Sequence, residues 1–262
     1  MQNHSAPHKT EHHSTLKRRL GLAYIIGLHL FVAVLLVKTD FASKFKEKFL
    51  DTPKHSNPHG ETMILFHQAM DASVPEGASI FIGDSITQGL ATAAVSPFPV
   101  NYGIGSATTT ELLENIPKYQ SLKRASVIFL MIGINDIGQN NPEALATRLV
   151  AIDAALPNNV PLVWSGIMPA YRNNVDPTSI TSANRVIRDL CAARVGCTYV
   201  DTQKLFSAGG PKLFRDGVHP NNDGYAIWID ALRKAYQYIS HQKPLNKAMP
   251  EPISEPSTTQ VN

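Results

Sequence analysis

The stretch SIFIGDSITQGL, Ser79–Leu90, places a serine directly after a short apolar run. The run Ile80–Ile82 is typical of a buried strand, and Gly83 and Gly89 bracket a tight turn around Ser85. One interpretation is an ordinary strand end followed by a helix-capping serine. The other is a nucleophile held at the end of a sheet. A nucleophile would need a base, an acid that orients the base, and donors for an oxyanion elsewhere in the chain.

Apolar runs and helical patterns alternate between Glu61 and His241. The apolar runs are short and rich in Val, Ile and Phe, as buried parallel strands are; they lie at Ala78–Gly83, Pro99–Tyr102, Ser126–Ile132, Pro161–Ile167 and Cys197–Val200. Helical patterns occupy Thr108–Leu122, Pro142–Leu156, Ile180–Val195 and Asp223–Ile239. This alternation predicts an α/β fold with a parallel sheet covered on both faces. Ligands of such sheets bind at the carboxyl ends of the strands, where Ser85 would lie.

Glycine and polar residues follow the second and third predicted strands. Asn101–Ser106 reads NYGIGS, in which Gly103 and Gly105 allow a tight turn that exposes backbone amides. Its likeness to a dinucleotide-binding G-x-G-x-x-G is weak, because Thr108 replaces the third glycine and the turn follows the second strand. The third strand leads into MIGIND, where the Asn135 side-chain amide suits an oxyanion. Taken alone, that Asn-Asp pair is also typical of a turn or cap.

A loop near the end of the domain carries an aspartate and a histidine three residues apart. It reads LFRDGVHPNNDG and contains Asp216 and His219. At this spacing a carboxylate can orient the histidine and set its tautomer, and the histidine can take a proton from Ser85. The alternatives are a metal site formed with Asp223, or a plain surface loop.

Together these parts resemble the GDSL, or SGNH, hydrolase family. Its four blocks are similar, in chain order, to Gly83–Ile86, Asn101–Ser106, Gly133–Asp136 and Asp216–His219. The likeness extends over roughly Ala78–Ile239. The resemblance implies a three-layer α/β/α sandwich of flavodoxin-like type with a five-stranded parallel sheet. It also implies ester hydrolysis by a serine esterase that needs no metal and no organic cofactor.

The resemblance also assigns roles to single residues. Ser85 would be the nucleophile, His219 its base, and Asp216 the acid that orients His219. The oxyanion would be held by a set of nearby donors: the backbone amides of Ser85 and of Gly105 or Ser106, and the side chain of Asn135. Ser106 stands where the family usually has glycine, so the choice between the amides of Gly105 and Ser106 stays open.

The substrate is less clearly encoded. The loops Ala91–Pro99 and Pro169–Ser179 would flank the crevice, and Tyr171 and Arg172 are candidate substrate-binding residues, with surface packing as the alternative for each. Because the loops between motifs are short, small acyl groups are favoured over long chains. A small-molecule, lipid or glycan ester fits this prediction. Two other classes stay open: an acyltransferase acting on envelope glycans, and a catalytically silent envelope-binding domain.

The segment Leu20–Val37 has no formal charge over 18 residues. As a helix it would extend roughly 27 Å, close to the hydrocarbon thickness of a bilayer. We predict an uncleaved, single transmembrane anchor preceded by a cytoplasmic tail at 1–19; a buried core helix is the alternative. The Lys17–Arg19 cluster favours a cytoplasmic amino terminus, which puts the rest of the chain in the periplasm or outside the cell.

The remaining predictions concern organisation and partners. A stalk or linker is expected at 38–60, the hydrolase domain at 61–241 and a disordered tail at 242–262. The net charge is +3 and no nucleic-acid-binding motif is present, so no nucleic-acid partner is expected. The two cysteines, Cys191 and Cys197, either form a bridge or remain buried thiols, and both alternatives stay open.

Overall fold

The computed structural model describes residues 11–38, 57–137, 142–173 and 175–242. Most of the predicted stalk and all but the first residue of the predicted tail therefore lie outside the described residues. The chain divides into two compact units, Met1–Ser56 and Asn57–Asn262. Each unit is described by itself.

The first unit contains one described helix, α1, Glu11–Lys38. This helix includes the uncharged segment Leu20–Val37, and side chains such as Tyr24 and Phe31 are exposed on it. Across the parts of the chain that the structure describes, no helix is both long and apolar enough to cross a membrane. The predicted transmembrane anchor is therefore not confirmed and stays a prediction.

The second unit is built on five short strands. They are β1 Ser79–Gly83, β2 Pro99–Gly103, β3 Val127–Met131, β4 Leu162–Ser165 and β5 Cys197–Val200. They pair in the order β2-β1-β3-β4-β5, and all four pairings are parallel. The predicted five-stranded parallel sheet is confirmed.

Helices connect these strands and cover the sheet. They are α2 Pro58–Asp71, α3 Ser85–Gln88, α4 Thr109–Asn115, α5 Ile134–Ile137, α6 Pro142–Ala155, α7 Pro177–Ala193, α8 Thr202–Phe206 and α9 Asn222–Gln242, with 3₁₀ turns at Thr92–Ala94, Ile116–Lys118, Gln120–Arg124 and Gly210–Leu213. Because β2 lies on one side of β1 and the later strands on the other, right-handed crossovers place helices on both faces. Helices α4, α6 and α7 pack in one layer, and α9 packs against β4 and β5. The predicted three-layer architecture is confirmed.

The central strands form the core that holds the strand ends in place. Every residue of β1 and β3 is buried, and the rings of Phe81 and Phe129 stack with centroids 4.2 Å apart. Fully burying an aromatic or branched side chain of this size stabilises the fold by roughly 1.5–3 kcal/mol. The Ser85 turn follows directly after β1, so the turn is attached to a fully buried strand.

Helices α4 and α2 show how proline changes the predicted helix bounds. The helix predicted over Thr108–Leu122 ends at Asn115 and continues as 3₁₀ turns, because Pro117 has no N–H to donate to a carbonyl of the preceding turn. Helix α2 begins at Pro58, inside the predicted linker. Asn57 caps this helix and Pro58 occupies its first turn, where proline is compatible with a helix.

A disulfide joins the last turn of α7 to the start of β5. Cys191 and Cys197 have Cα atoms 5.2 Å apart and are bonded through their sulfurs. Of the two alternatives that the sequence left open, the structure has the bridge. Neither cysteine belongs to the motifs that carry Ser85, Asn135 or His219.

Candidate active site

The turn that carries Ser85 leaves no room for side chains at its flanks. A Cβ added at Gly83 would lie 2.1 Å from the carbonyl oxygen of Met131, and one at Gly103 would lie 2.3 Å from the amide nitrogen of Gln88. Asp84 caps α3, its Oδ1 accepting a hydrogen bond from Ile86 N at 2.9 Å. Ser85 is thereby held as the first residue of α3, partly exposed at the carboxyl edge of the sheet.

Asp84 itself is fully buried beside Ser85. Within the described part of the chain, its Oδ2 has no hydrogen-bond partner. Burial raises the pKa of Asp84 to about 7, against the opposing hydrogen bond from Ile86 N and with a smaller upward contribution from the charge of Asp136. At a given pH, a larger fraction of Asp84 is therefore neutral than of an ordinary aspartate.

The structure brings Ser85, His219 and Asp216 into one hydrogen-bonded chain. Ser85 Oγ lies 2.8 Å from His219 Nε2, and His219 Nδ1 lies 2.8 Å from Asp216 Oδ2. An ionised carboxylate only accepts hydrogen bonds, so the proton of a neutral His219 is assigned to Nδ1. Nε2 is then the acceptor for the hydroxyl proton of Ser85. This is the arrangement that a nucleophile and its general base require.

Asp216 is held by several donors on its own loop. Its Oδ1 accepts hydrogen bonds from Val218 N at 3.0 Å and His219 N at 2.8 Å, and Arg172 Nη2 lies 3.1 Å from Oδ2. Burial acts to raise the pKa of Asp216. The hydrogen bonds from the backbone and side chain of His219, and from Val218 N, outweigh burial and hold that pKa well below its usual range. Asp216 is therefore a carboxylate at neutral pH.

The glycine-containing segment after β2 forms a tight turn. Ala107 N donates to Ile104 O at 3.1 Å, Gly105 has a negative φ, and Ser106 has a φ of 63°. This combination is that of a type II turn, whose third residue is usually glycine. A left-handed backbone costs a residue with a side chain roughly 1–2 kcal/mol. Ser106 therefore adopts a conformation that its own backbone disfavours.

The two amides of this turn differ in their hydrogen bonding. Gly105 N donates to Gln88 Oε1 at 2.7 Å. Over the residues that the structure describes, Ser106 N has no acceptor. Ser85 N, at the first position of α3, also lacks an intrahelical acceptor. The amides free to receive a ligand oxygen are thus those of Ser85 and Ser106, whereas the amide of Gly105 is occupied.

Asn135 is positioned by the same turn. Its Nδ2 donates to Ala107 O at 2.9 Å, which uses one of its two N–H groups. The neighbouring Asp136 is buried and accepts from Thr109 N at 2.9 Å and Arg148 Nη2 at 3.0 Å. Hydrogen bonds to α4 and α6 therefore brace the segment that carries Asn135.

The predicted substrate residues contact the loop that carries Asp216 and His219. Tyr171 N donates to Gly217 O at 2.7 Å, and Arg172 Nε donates to Asp216 O at 3.1 Å. Both residues thus support the loop, and their contact with substrate stays a prediction.

Two residues that the sequence analysis did not identify also touch the site. Gln88 lies one helical turn after Ser85, a spacing that could have signalled its proximity. Asn57 donates from Nδ2 to Gly105 O at 2.9 Å across 48 positions. No local pattern marks Asn57, because its role depends on the packing of α2.

The metal alternative at Asp216, His219 and Asp223 finds no matching geometry. Within residues 11–38, 57–137, 142–173 and 175–242, no group of three or more His, Cys, Asp or Glu side chains converges on one point. Both ring nitrogens of His219 are already hydrogen-bonded, one to Ser85 and one to Asp216.

The chain is similar to known proteins in its family profile and in its fold. The profile of the GDSL-like lipase/acylhydrolase family matches residues 81–227. Among solved structures, the chain is similar to a Streptococcus pneumonia protein described in connection with platelet activating factor, at 24% identity and a TM-score of 0.61, covering 77% of this chain and 99% of that one. A GDSL-like lipase from Bacteroides thetaiotaomicron matches at 18% identity and a TM-score of 0.55, covering 69% and 98%.

A third structure, a member of the lipolytic G-D-S-L family from Veillonella parvula, matches at 20% identity and a TM-score of 0.52, covering 63% of this chain and 99% of that one. No curated protein matches the chain. The structural likenesses show a shared fold, and the family profile extends over more than half of the 262 residues. On this match, the protein belongs to the GDSL-like lipase/acylhydrolase family and is a hydrolase.

Proposed function

We propose that the protein is a serine esterase that hydrolyses carboxylic esters with small acyl groups through an acyl-serine intermediate. The observation that carries the proposal is the continuous hydrogen-bonded chain from Ser85 through His219 to Asp216, with both distances 2.8 Å. A serine hydroxyl is a weak nucleophile by itself and needs a base within hydrogen-bond reach.

In the first step, Ser85 Oγ attacks the carbonyl carbon of the ester. The Oγ–C bond forms, the carbonyl π electrons move to oxygen, and His219 Nε2 takes the hydroxyl proton. The imidazolium that forms is stabilised by Asp216, whose depressed pKa keeps it charged. An aspartate held as an anion is better suited to this role than a buried neutral one.

The negative oxygen of the tetrahedral intermediate needs donors that are not otherwise engaged. We assign these donors to Ser85 N, Ser106 N and the second N–H of Asn135. Gly105 N is a weaker candidate because it already donates to Gln88. Loss of one such donor is expected to cost on the order of 10²–10³ in rate.

Collapse of the intermediate completes the reaction. His219 returns its proton to the leaving alkoxide, the C–O bond to the alcohol breaks, and the acyl group remains on Ser85. A water molecule then attacks the acyl carbon, with His219 as base. The His219 side chain is 26% exposed, so solvent can reach it.

The preference for small acyl groups rests on the short segments that border the strand ends. Residues 89–98 and 166–176 contain no helix longer than a single 3₁₀ turn in their described parts, which leaves little chain for a lid. Glycan and lipid esters with small acyl groups both fit this description.

A panel of p-nitrophenyl esters of increasing acyl length, assayed with the full-length protein, tests the proposal. We expect acetyl and butyryl esters to be cleaved faster than decanoyl esters, and a fluorophosphonate to label Ser85. Absence of both cleavage and labelling would favour a catalytically silent envelope-binding domain. An acyltransferase shares the acyl-serine, so product analysis with sugar acceptors separates it from an esterase.

We also propose that the protein is anchored by a single membrane span and that its hydrolase domain lies outside the cytoplasm. The uncharged segment Leu20–Val37 supports the anchor. The Cys191–Cys197 bridge supports the location, because disulfides persist in oxidising compartments. The protein should stay with carbonate-washed membranes, and removal of residues 1–37 should release it. Recovery of the full-length chain in the soluble fraction would contradict the anchor.

A further inference from the structure

The peptide that links Gly105 to Ser106 is held from outside its own turn. Asn57 Nδ2 donates to Gly105 O at 2.9 Å, and Asn57 Oδ1 accepts from Gly60 N at 2.8 Å as the cap of α2. A Cβ at Gly60 would lie 2.7 Å from Asn57 Nδ2, so any larger residue at position 60 would displace the Asn57 side-chain amide. Both ends of the Asn57 side-chain amide are therefore engaged.

Holding Gly105 O also aims the amide of the next residue. A trans peptide is planar, and its C=O and N–H point in opposite directions. The carbonyl oxygen of Gly105 and the N–H of Ser106 belong to the same peptide. When Asn57 holds the oxygen on one side, the N–H of Ser106 is directed to the other.

A turn of this length has an alternative conformation, type I, in which the Gly105–Ser106 peptide is flipped. Type I and type II turns differ mainly by a rotation of the central peptide, and a residue with a side chain in the third position favours type I. Ser106, with its φ of 63°, occupies that position in the type II form. A contact outside the turn can offset the preference of Ser106, and the hydrogen bond from Asn57 to Gly105 O is such a contact.

Gln88 and His59 secure the preceding peptide. Gln88 Oε1 accepts from Gly105 N at 2.7 Å, and Gln88 Nε2 lies 3.2 Å from His59 Nε2. A Cβ at Gly105 would approach Gln88 Oε1 to 3.0 Å and His59 Cδ2 to 3.2 Å. The turn is thus packed between α3 and the first residues of α2.

We propose that Asn57, assisted by Gln88, is a positioning residue that keeps the Gly105–Ser106 peptide in the orientation that presents Ser106 N to the oxyanion. The inference rests on the proposed esterase function. It assigns an influence on turnover to a residue that precedes the family match at 81–227. It also explains how this chain tolerates serine where the turn favours glycine.

Substitutions at position 57 can keep the cap of helix α2 while removing the hydrogen bond to Gly105 O. Serine and aspartate are both good helix caps, but neither supplies an N–H to Gly105 O. For Asn57→Ser and Asn57→Asp we expect kcat to fall by about 10- to 100-fold. This is less than, or at most equal to, the roughly 100-fold minimum expected for complete loss of an oxyanion donor. KM and the melting temperature should stay close to those of the wild type. Wild-type kcat in both variants would overturn the inference.

A second substitution tests the turn itself. Glycine carries no penalty at positive φ, so Ser106→Gly should restore most of the lost kcat in the Asn57→Ser background. In the Ser106→Gly background, Asn57→Ser should therefore lower kcat by less than it does in the wild-type background. A merely structural defect at Asn57 would not be repaired by this change, so lack of rescue would count against the inference.

The proposed function is tested separately by fluorophosphonate labelling of Ser85 in the wild type. If the wild type is not labelled, the esterase proposal fails, and the inference is then decided by crystal structures of the wild type and Asn57→Ser. We expect the Gly105–Ser106 peptide to be rotated in the variant. An unrotated peptide would overturn the inference whatever the activity.

Discussion

The turn at the end of β1 and the loop before α9 each place an aspartate beside a proposed catalytic residue, with opposite electrostatic results. Asp84 precedes Ser85 and is fully buried, and one of its oxygens has no partner among the described residues; its pKa is raised to about 7. Asp216 lies three residues before His219, is 39% exposed in its side chain, and has a lowered pKa.

The difference shows that burial and hydrogen-bond donors together set the pKa of an aspartate beside a proposed catalytic residue. Among the residues that the structure describes, Asp84 accepts hydrogen bonds through Oδ1 alone, so desolvation of its charge dominates. Asp216 accepts from two backbone amides and from His219, and these outweigh its burial. The turn thus holds Ser85, the proposed nucleophile, by close packing, whereas the loop holds a carboxylate whose charge would stabilise a protonated His219.

The largest effect is expected from replacing Ser85 or His219, the hydrogen-bonded pair that the turn and the loop contribute. Ser85→Ala and His219→Ala should each lower kcat by on the order of 10⁵-fold or more, with the fold unchanged, because each removes a part that the other needs. Ester hydrolysis and circular dichroism of the purified variants provide the measurement. Turnover like that of the wild type in Ser85→Ala would contradict the mechanism.

Asp216→Asn tests the loop alone and should have a large but smaller effect. The amide is uncharged and has a single acceptor oxygen, which cannot replace both carboxylate oxygens that accept from His219 Nδ1 and from the loop amides, so kcat should fall by about 10²–10⁴-fold. Steady-state kinetics with a p-nitrophenyl ester measures this change. A kcat within a few-fold of the wild type would show that another group can orient His219.

Asp84→Asn tests the turn through stability rather than rate. Between pH 3.8 and about 7 the native state binds more protons at Asp84 than the unfolded state does, so the wild-type free energy of unfolding should fall as pH rises. The decline should reach up to about 4 kcal/mol, at 1.4 kcal/mol per pKa unit. Asparagine keeps the cap acceptor but has no proton to lose.

Denaturant unfolding of the wild type and Asp84→Asn at pH 4, 6 and 8 measures that difference. The wild type should lose stability relative to the variant across the series, and parallel pH profiles would count against a buried, uncharged Asp84. The opposite trend is expected for Asp216. Its lowered pKa contributes stability above pH 3.8, and this stability is lost as pH falls further.

The smallest effect on activity is expected from the disulfide, which belongs to neither region. Replacing both Cys191 and Cys197 with alanine should leave kcat unchanged and lower the free energy of unfolding by about 2 kcal/mol, because the closed loop is short. Thiol counting on denatured wild-type protein, purified without reductant, provides the control. Two free thiols per chain would show that the bridge does not form in the cell.

Much of the fold was predictable because its signals are local. Short apolar runs separated by amphipathic segments predict buried parallel strands, and a parallel sheet brings the strand ends to one edge. The positions of Ser85, Asn135 and His219 relative to the predicted strands therefore suffice to indicate that these residues are neighbours. The same kind of signal could not predict helix α2, because the Asn-Pro pair that caps this helix is equally typical of a linker.

The sequence by itself determined the chemical parts of this protein: a serine on a glycine-bounded turn, a histidine with an aspartate three residues before it, and the strands that present them. Tertiary structure decided which backbone amide is free, since Gly105 N is taken by Gln88 and Gly105 O is held by Asn57. It also decided which aspartate has a raised pKa and which has a lowered one. The hydrogen bond from Asn57 and the burial of Asp84 depend on parts of the chain that are distant in sequence, so local sequence carries no record of them.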